Sequence, residues 1–266
     1  MLPLTDWPLD ARLGITGVLT DIDDTLTREG AITPDALQAL HDLRATGLQV
    51  IPITGRPVGW SEPFARVWPV EAIVAENGAV ALRAHASAPN GLRKLYQQDA
   101  AERARNFTRM QAVLARVLAE VPQARASHDS VGRETDIAID HSEFHTLSSD
   151  NIEKVAALMR DAGMNATVSS IHINGWFGTH DKLAGARWIV RELFDRDLDR
   201  ELQHWVYVGD STNDQLMFEH FPHSVGVANI RRFEAQLQHL PRYITPSERG
   251  AGFAEVAQAL LAARQA

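Results

Sequence analysis

Cysteine is absent from the 266 residues, which removes disulfides, thiolate nucleophiles and cysteine-held zinc from consideration. Basic tracts are missing too. The densest is Arg231-Arg232, and the formal net charge is −8. A phosphate-backbone binder needs clustered Lys and Arg, so no nucleic-acid partner is expected. No apolar run is long enough to span a bilayer. The stretch from Met1 to Asp10 holds prolines and acids where an export signal would need a basic start and an apolar run. A cytoplasmic protein with no membrane partner is therefore the expectation. Repeats, low-complexity tracts, Gly-x-Gly-x-x-Gly and Walker-type loops are likewise missing, so a nucleotide cofactor is not indicated. What is present is an ordinary globular balance, 45% hydrophobic and 23% charged. The length suits one large α/β unit with an inserted module, or two modest domains.

The chain opens with alternating strand and helix signals. Residues 15–22 form a mostly apolar run ending in acids, the pattern of a buried parallel strand reaching a sheet edge. Thr33-Pro34 opens a helix with an N-cap and a first-turn proline; Leu37, Leu40 and Leu43 line its apolar face and Gly47 ends it. Strands are expected over 49–53 and 72–75, with a short helix after Pro57. This alternation predicts a parallel sheet with helices on both faces.

After about Arg83 the pattern changes. A loop with Pro89-Asn90-Gly91 leads to a long helix carrying Phe107, Met110, Leu114, Val117, Leu118 and Val121. A strand over 135–139, a helix capped by Asp150 and a strand over 167–174 follow. From Asp181 the first pattern resumes: a helix to about Phe194, a strand over 205–208, a helix from Asn213, a strand over 224–227, a helix near Phe233 and a terminal helix from Gly252. The predicted fold is α/β, a doubly wound Rossmann-like core (1–83 and 181–266) interrupted by an α+β cap (84–180).

Chemistry concentrates at strand ends. Asp21-Ile22-Asp23-Asp24-Thr25-Leu26 follows a buried strand, and in open parallel sheets reactive groups sit at the carboxyl ends of strands. A carboxylate there can attack phosphorus, and a second acid two residues on can protonate the leaving oxygen and then activate water. Asp21 and Asp23 fit these roles. Two anions facing a phosphate dianion call for a hard cation, so magnesium is the expected cofactor. Taken alone, such an acidic turn serves equally well to cap the next helix. Three later segments shift the balance. Thr54-Gly55-Arg56-Pro57 can aim a hydroxyl and backbone N–H groups at phosphate as a helix begins. Lys182 stands at the start of the helix re-entering the core. Gly209-Asp210-Ser211-Thr212-Asn213-Asp214 is another acid cluster at a strand end.

In these motifs the chain resembles the haloacid dehalogenase superfamily of phosphohydrolases over nearly its whole length. Val18 to Leu26 resembles the first family motif, Thr54 the second, Lys182 the third, and Gly209-Asp210 through Asn213-Asp214 the fourth. Thr-Gly-Arg and Glu76-Asn77-Gly78-Ala79 resemble subclass IIB, whose relatives include Cof-type, sucrose-phosphate and mannosyl-phosphoglycerate phosphatases. The resemblance implies an Mg2+-dependent phosphatase working through an aspartyl-phosphate on Asp21, with a small phosphorylated metabolite, favoured as a sugar phosphate, as substrate. It implies metal held by Asp21, the Asp23 carbonyl and Asp210, with Asp214 nearby or acting through water. Thr54 and Lys182 would hold the phosphoryl group, with Gly55, Arg56 and Asn213 at the substrate. Asp24 departs from the pattern, since relatives usually carry Gly there; it would either alter metal affinity or point away into a turn. A phosphosugar mutase shares the intermediate, and a phosphoacceptor or sugar-binding regulator shares the site.

In the expected strand over 167–174, His172 and Asn174 share one face and Ile171 and Ile173 the other. His172 and Asn174 would either face the substrate or decorate a solvated surface. Trp176 is close enough for sugar stacking, and Arg133 and Glu134 are similar candidates. His141 and His145 have the spacing of a metal pair, but without a His-Glu-x-x-His motif a surface origin is favoured. Oligomeric state is not legible.

Overall fold

The computed structural model describes residues 1–265. Strands Gly17–Thr20 and Trp205–Gly209 are buried along their whole length, as central strands must be when helices cover both faces. The sheet runs Leu2–Pro3, Tyr243–Ile244, His223–Gly226, Trp205–Gly209, Gly17–Thr20 and Gln49–Pro52, with every neighbouring pair parallel. Thr20 lies opposite Val208 on one side and Pro52 on the other, while Gly209 faces Gly226. The strands therefore end in register, and the segments after Thr20, Pro52 and Gly209 leave from one edge.

Helices Pro34–Ala45 and Arg249–Ala263 cover one face through Leu40, Leu43, Phe253 and Leu260. Helices Lys182–Phe194 and Gln215–His220 cover the other through Ile189, Val190, Met217 and Phe218. Gly78 and Gly185 bring the first of these against the sheet edge: a Cβ on Gly185 would lie 2.5 Å from the Gly78 Cα, and Gly78 has φ +106°. Only glycine tolerates both demands, and the contact sets the helix start that carries Lys182.

The α+β insert has its own core. Its antiparallel sheet runs Asn165–Val168, His172–Trp176, Ile137–Asp140, Arg125–Ala126. Ile137, Ile139 and Ile173 pack under helices Ala100–Glu120 and Ser149–Asp161, against Met110, Val117, Val155 and Met159. The other face, bearing His172 and Asn174, carries no helix of the insert and turns toward the core domain.

Several elements differ from the sequence expectation. Residues 167–174 are not one strand: Asn165–Val168 and His172–Trp176 form a hairpin that turns at Ser169-Ser170-Ile171. The stretch around Asn90-Gly91 is a hairpin too. Val80–Ala84 pairs with Leu92–Tyr96 and with Ile73–Ala75, and a parallel bridge from Val74 to Ile53 joins this group to the main sheet. A division at 83/84 would cut that hairpin, so the change of architecture comes after Tyr96. The helix expected from Asp150 is capped by Ser148, whose hydroxyl accepts from the Asn151 N–H. The segment near Phe233 is 3-10 turns, Ala228–Gln236, and not an α-helix. In the long helix, Phe107 and Leu118 are exposed and Val113 takes the buried position. The outermost strand Leu2–Pro3 and its neighbour Tyr243–Ile244 are two residues each, too short for a periodicity to register.

Candidate active site

Because the central strands end together, their loops converge. Asp21 leaves the strand with its N–H donating to the Val208 carbonyl at 2.8 Å. Lys182, the first residue of its helix, reaches back so that Nζ donates to Asp21 Oδ1 at 2.8 Å and to Asp214 Oδ1 at 2.6 Å. Asp210 closes the group, its Oδ2 accepting from Asn229 Nδ2 at 2.9 Å. All four charged groups are nearly or fully buried. Burial pushes the Asp21 carboxyl up to about 7 against the pull of Lys182, and it drives Asp210 well above the carboxylate range, with Asp21 and Asp214 adding to the effect. For Lys182, burial opposes the charge, but Asp21 and Asp214 outweigh it and raise its pKa.

Carboxylate oxygens of Asp21, Asp210 and Asp214 lie within 4.8 Å of one another. Fully ionised, these three acids against one ammonium would leave two charges uncompensated, the deficit that a divalent cation fills. The donor set fits a hard cation, but unequally. Each Asp214 oxygen already accepts two hydrogen bonds: Oδ1 from Lys182 and the Tyr207 hydroxyl (2.5 Å), Oδ2 from the N–H groups of Asp210 (2.9 Å) and Ser211 (3.1 Å). Asp21 and Asp210 keep open oxygen lone pairs, whereas Asp214 is a brace behind them.

Thr54 lies just past the end of the neighbouring strand, fully buried, its hydroxyl accepting from the Arg56 N–H at 3.0 Å. Arg56 is directed at carboxylates. Its Nε donates to Asp23 at 2.8 and 3.0 Å, Nη1 to Asp129 at 3.3 Å and Nη2 to Glu143 at 2.7 Å. One core arginine thus bridges Asp23 to two acids of the insert. Burial raises the Asp23 pKa, with Arg56 pulling it back. Asp24 turns to Arg249: its φ of +54° places it in the left-handed region, and its carboxylate accepts from Arg249 Nε at 2.7 Å.

The insert closes over this edge. His172 and Asn174 are 2% and 1% exposed, so their face is not a solvated one. His172 Nε2 lies 2.9 Å from Glu143, and Asn174 Nδ2 donates to Asp136 at 2.9 Å and the Gly55 carbonyl at 3.3 Å. Arg133 donates to the same carbonyl at 3.0 Å and to Asp136 and Asp129. Glu134 does not join them. Its side chain accepts from Lys94 and the Tyr96 hydroxyl, on the far side of the hairpin. Trp176 borders a cavity of about 380 Å3 shared with Lys182 and Asn213. It is 2% exposed and donates its indole N–H to the His180 carbonyl at 2.8 Å, so it is not an open stacking platform. Asn213 accepts from Ser211 at 2.9 Å. His141 and His145 bond separate carbonyls, of Ser169 and Gln123, and form no pair.

Tyr207, Asn229, Asp129, Asp136 and Glu143 belong to this site but carried no sequence signal, since each enters through a tertiary contact. Glu76 is the exception. It stands in the recognised Glu-Asn-Gly string, and its carboxylate accepts from the N–H groups of Val58, Glu134 and Thr135 and from the Thr135 hydroxyl. It ties the insert to the core. A second cavity, about 230 Å3, opens beside Asp23 between the core and residues 142–144.

Residues 18–157 match the family model of haloacid dehalogenase-like hydrolases. No curated protein matches the sequence. Among solved structures, a protein of Thermoplasma acidophilum is similar at 16% identity and a TM-score of 0.68, over 93% of this chain and 98% of that one. The sucrose-phosphatase of Synechocystis, solved with sucrose and phosphate, is 14% identical with a TM-score of 0.63, over 92% and 97%. A subclass IIB sugar phosphatase is 14% identical with a TM-score of 0.61, over 93% and 99%. At such identities the likeness is one of fold, and it extends over the sheet and the insert together. Among the described residues, no helix is long and apolar enough to cross a membrane.

Proposed function

The chain belongs to the haloacid dehalogenase-like hydrolases, and from that premise we propose that it is a phosphoric monoester hydrolase for a small phosphorylated metabolite of the sugar-phosphate class. The placement of Asp21 carries this reading: a buried carboxylate with one oxygen held by Lys182, beside Asp210, with Asp23 two residues on at the mouth of a cavity. The free oxygen of Asp21 attacks phosphorus as the bond to the leaving alcohol breaks, and Asp23 gives its proton to the departing oxygen. Burial of Asp23, which favours its protonated form, supports that role. Water deprotonated by Asp23 then attacks the acyl phosphate, releasing phosphate and restoring the Asp21 carboxylate.

Lys182 and Thr54 hold the phosphoryl group in line, so most of the acceleration comes from positioning and charge balance. Magnesium, held by Asp21, Asp210 and the Asp23 carbonyl with Asp214 behind them, would neutralise charge on the phosphoryl oxygens. The insert that follows Tyr96 acts as the cap, excluding bulk water and choosing the leaving group. The sucrose and phosphate of the Synechocystis neighbour support a sugar phosphate as the class to test first. Purified protein with magnesium should release phosphate from an aryl phosphate and from hexose phosphates, and Asp21→Asn should abolish this while the chain stays folded. Turnover retained in Asp21→Asn would overturn the assignment.

A further inference from the structure

We infer that the cavity beside Asp23 accepts an uncharged, hydroxyl-bearing leaving group and rejects one that carries a second anion, and that Glu143 of the insert sets this preference. The inference rests on the phosphatase reading above and narrows it to a substrate class.

The cavity joins the candidate general acid directly. Its charged lining is Asp23, Asp24, Glu29 and Glu143 against Arg56 and Arg249, an excess of negative charge even when Asp23 carries its proton. Both arginines are already paired with acids, Arg249 with Asp24 and, at 3.7 Å, with Glu248. Arg56 is 4% exposed and gives its donors to Asp23, Asp129 and Glu143; Arg249 Nε is committed to Asp24. His172, the nearest imidazole, is taken up by the second oxygen of Glu143. Arg56 and His172 lower the pKa of Glu143 despite its partial burial, so it remains a carboxylate at neutral pH. A carboxylate or phosphate on the leaving group would have to break a buried ion pair or sit beside unpaired acid oxygens. Both alternatives cost binding energy.

Hydroxyl groups meet the opposite reception. Carboxylate oxygens accept several hydrogen bonds each, and those of Glu143 and Asp24 each have accepting capacity left beyond their recorded partners. The cavity's volume of about 230 Å3 is room for a small polyol. Selection here works by unfavourable charge as much as by fit, a common way to build specificity.

Glycerol phosphate and phosphoglycerate test this cleanly, because their leaving groups differ in one carboxylate. With magnesium, kcat/KM for glycerol phosphate should exceed that for 3-phosphoglycerate by about tenfold or more, the scale of one like-charge contact in a partly buried site. Glu143→Gln should shrink that ratio by at least about threefold, chiefly by lowering KM for the glycerate, since it removes one acid and loosens Arg56. Equal rates on the two substrates, with an aryl phosphate also hydrolysed, would overturn the inference and leave the phosphatase reading standing. A ratio unmoved by Glu143→Gln would overturn the role given to Glu143. No phosphate release from any of the three would sink the phosphatase reading and this inference with it.

Discussion

Replacing Lys182 with Met removes the ammonium wedged between Asp21 and Asp214 while keeping most of the side-chain volume. Three buried carboxylates then face one another with no cation among them. Truncating one partner of a buried ion pair costs roughly 3–5 kcal/mol, because the remaining charge stays desolvated and unpaired. Proton uptake by the cluster relieves part of this, so the lower end is expected in metal-free protein. At roughly 2–4 °C per kcal/mol for a chain near this size, the fall in Tm is about 10 °C. The informative readout is how magnesium changes it. A cation that binds only the folded state stabilises it by RT ln(1 + c/Kd), with c its free concentration, and the uncompensated charge of the variant is larger by one. Magnesium should therefore stabilise Lys182→Met more than the native chain, measured by urea unfolding with chelator and with excess metal. A variant within about 1 kcal/mol of native stability without metal, or one no more responsive to magnesium, would refute the charge balance drawn for the site.

Asp24→Gly exchanges two small opposing effects, since glycine relieves a left-handed backbone at φ +54° and loses a partly exposed pair with Arg249. Stability should stay within about 1 kcal/mol with magnesium dependence unchanged; a shifted metal titration would show that Asp24 bears on the metal after all. Glu76→Gln turns an amide toward backbone N–H donors that now meet carboxylate oxygens, and it should cost about 3 kcal/mol in urea unfolding. A loss below about 1 kcal/mol would deny Glu76 its clamping role. His180, held neutral by burial with a pKa of about 4, takes up protons more readily when unfolded. Its contribution is complete above the unfolded value near 6.5 and declines as pH falls toward 4, by about 2 kcal/mol at pH 5. His180→Gln should flatten the acid side of the stability curve by that amount, and an unchanged curve would contradict it.

Local grammar was enough to locate much of this site. A buried apolar run must end at a sheet edge, so the acids after Thr20 and Val208 and the hydroxyl turn after Ile53 could be assigned to one edge before any coordinates. The helix start at Pro34 followed from its first-turn proline, although Thr33 makes no side-chain cap. The hairpins at 80–96 and 165–176 were not legible in the same way. Their strands are only four or five residues long, and short apolar runs do not distinguish one strand from two. Arg56 shows a different limit: its place in Thr-Gly-Arg pointed to phosphate, while its three donors in fact answer to Asp23, Asp129 and Glu143.

Residue types and their order along the chain determined the family, the doubly wound core, the three strand-end motifs and the helix start that carries Lys182. Tertiary structure alone decided which oxygens remain free, that Asp214 braces while Asp210 stays open, that Asp24 turns to Arg249, and that acids from the insert face Asp23. Those outcomes depend on burial and on tertiary partners, some of them more than a hundred residues distant, such as Lys182 for Asp21. In a desolvated site the partner sets the charge that a carboxylate can keep, and no local pattern names that partner.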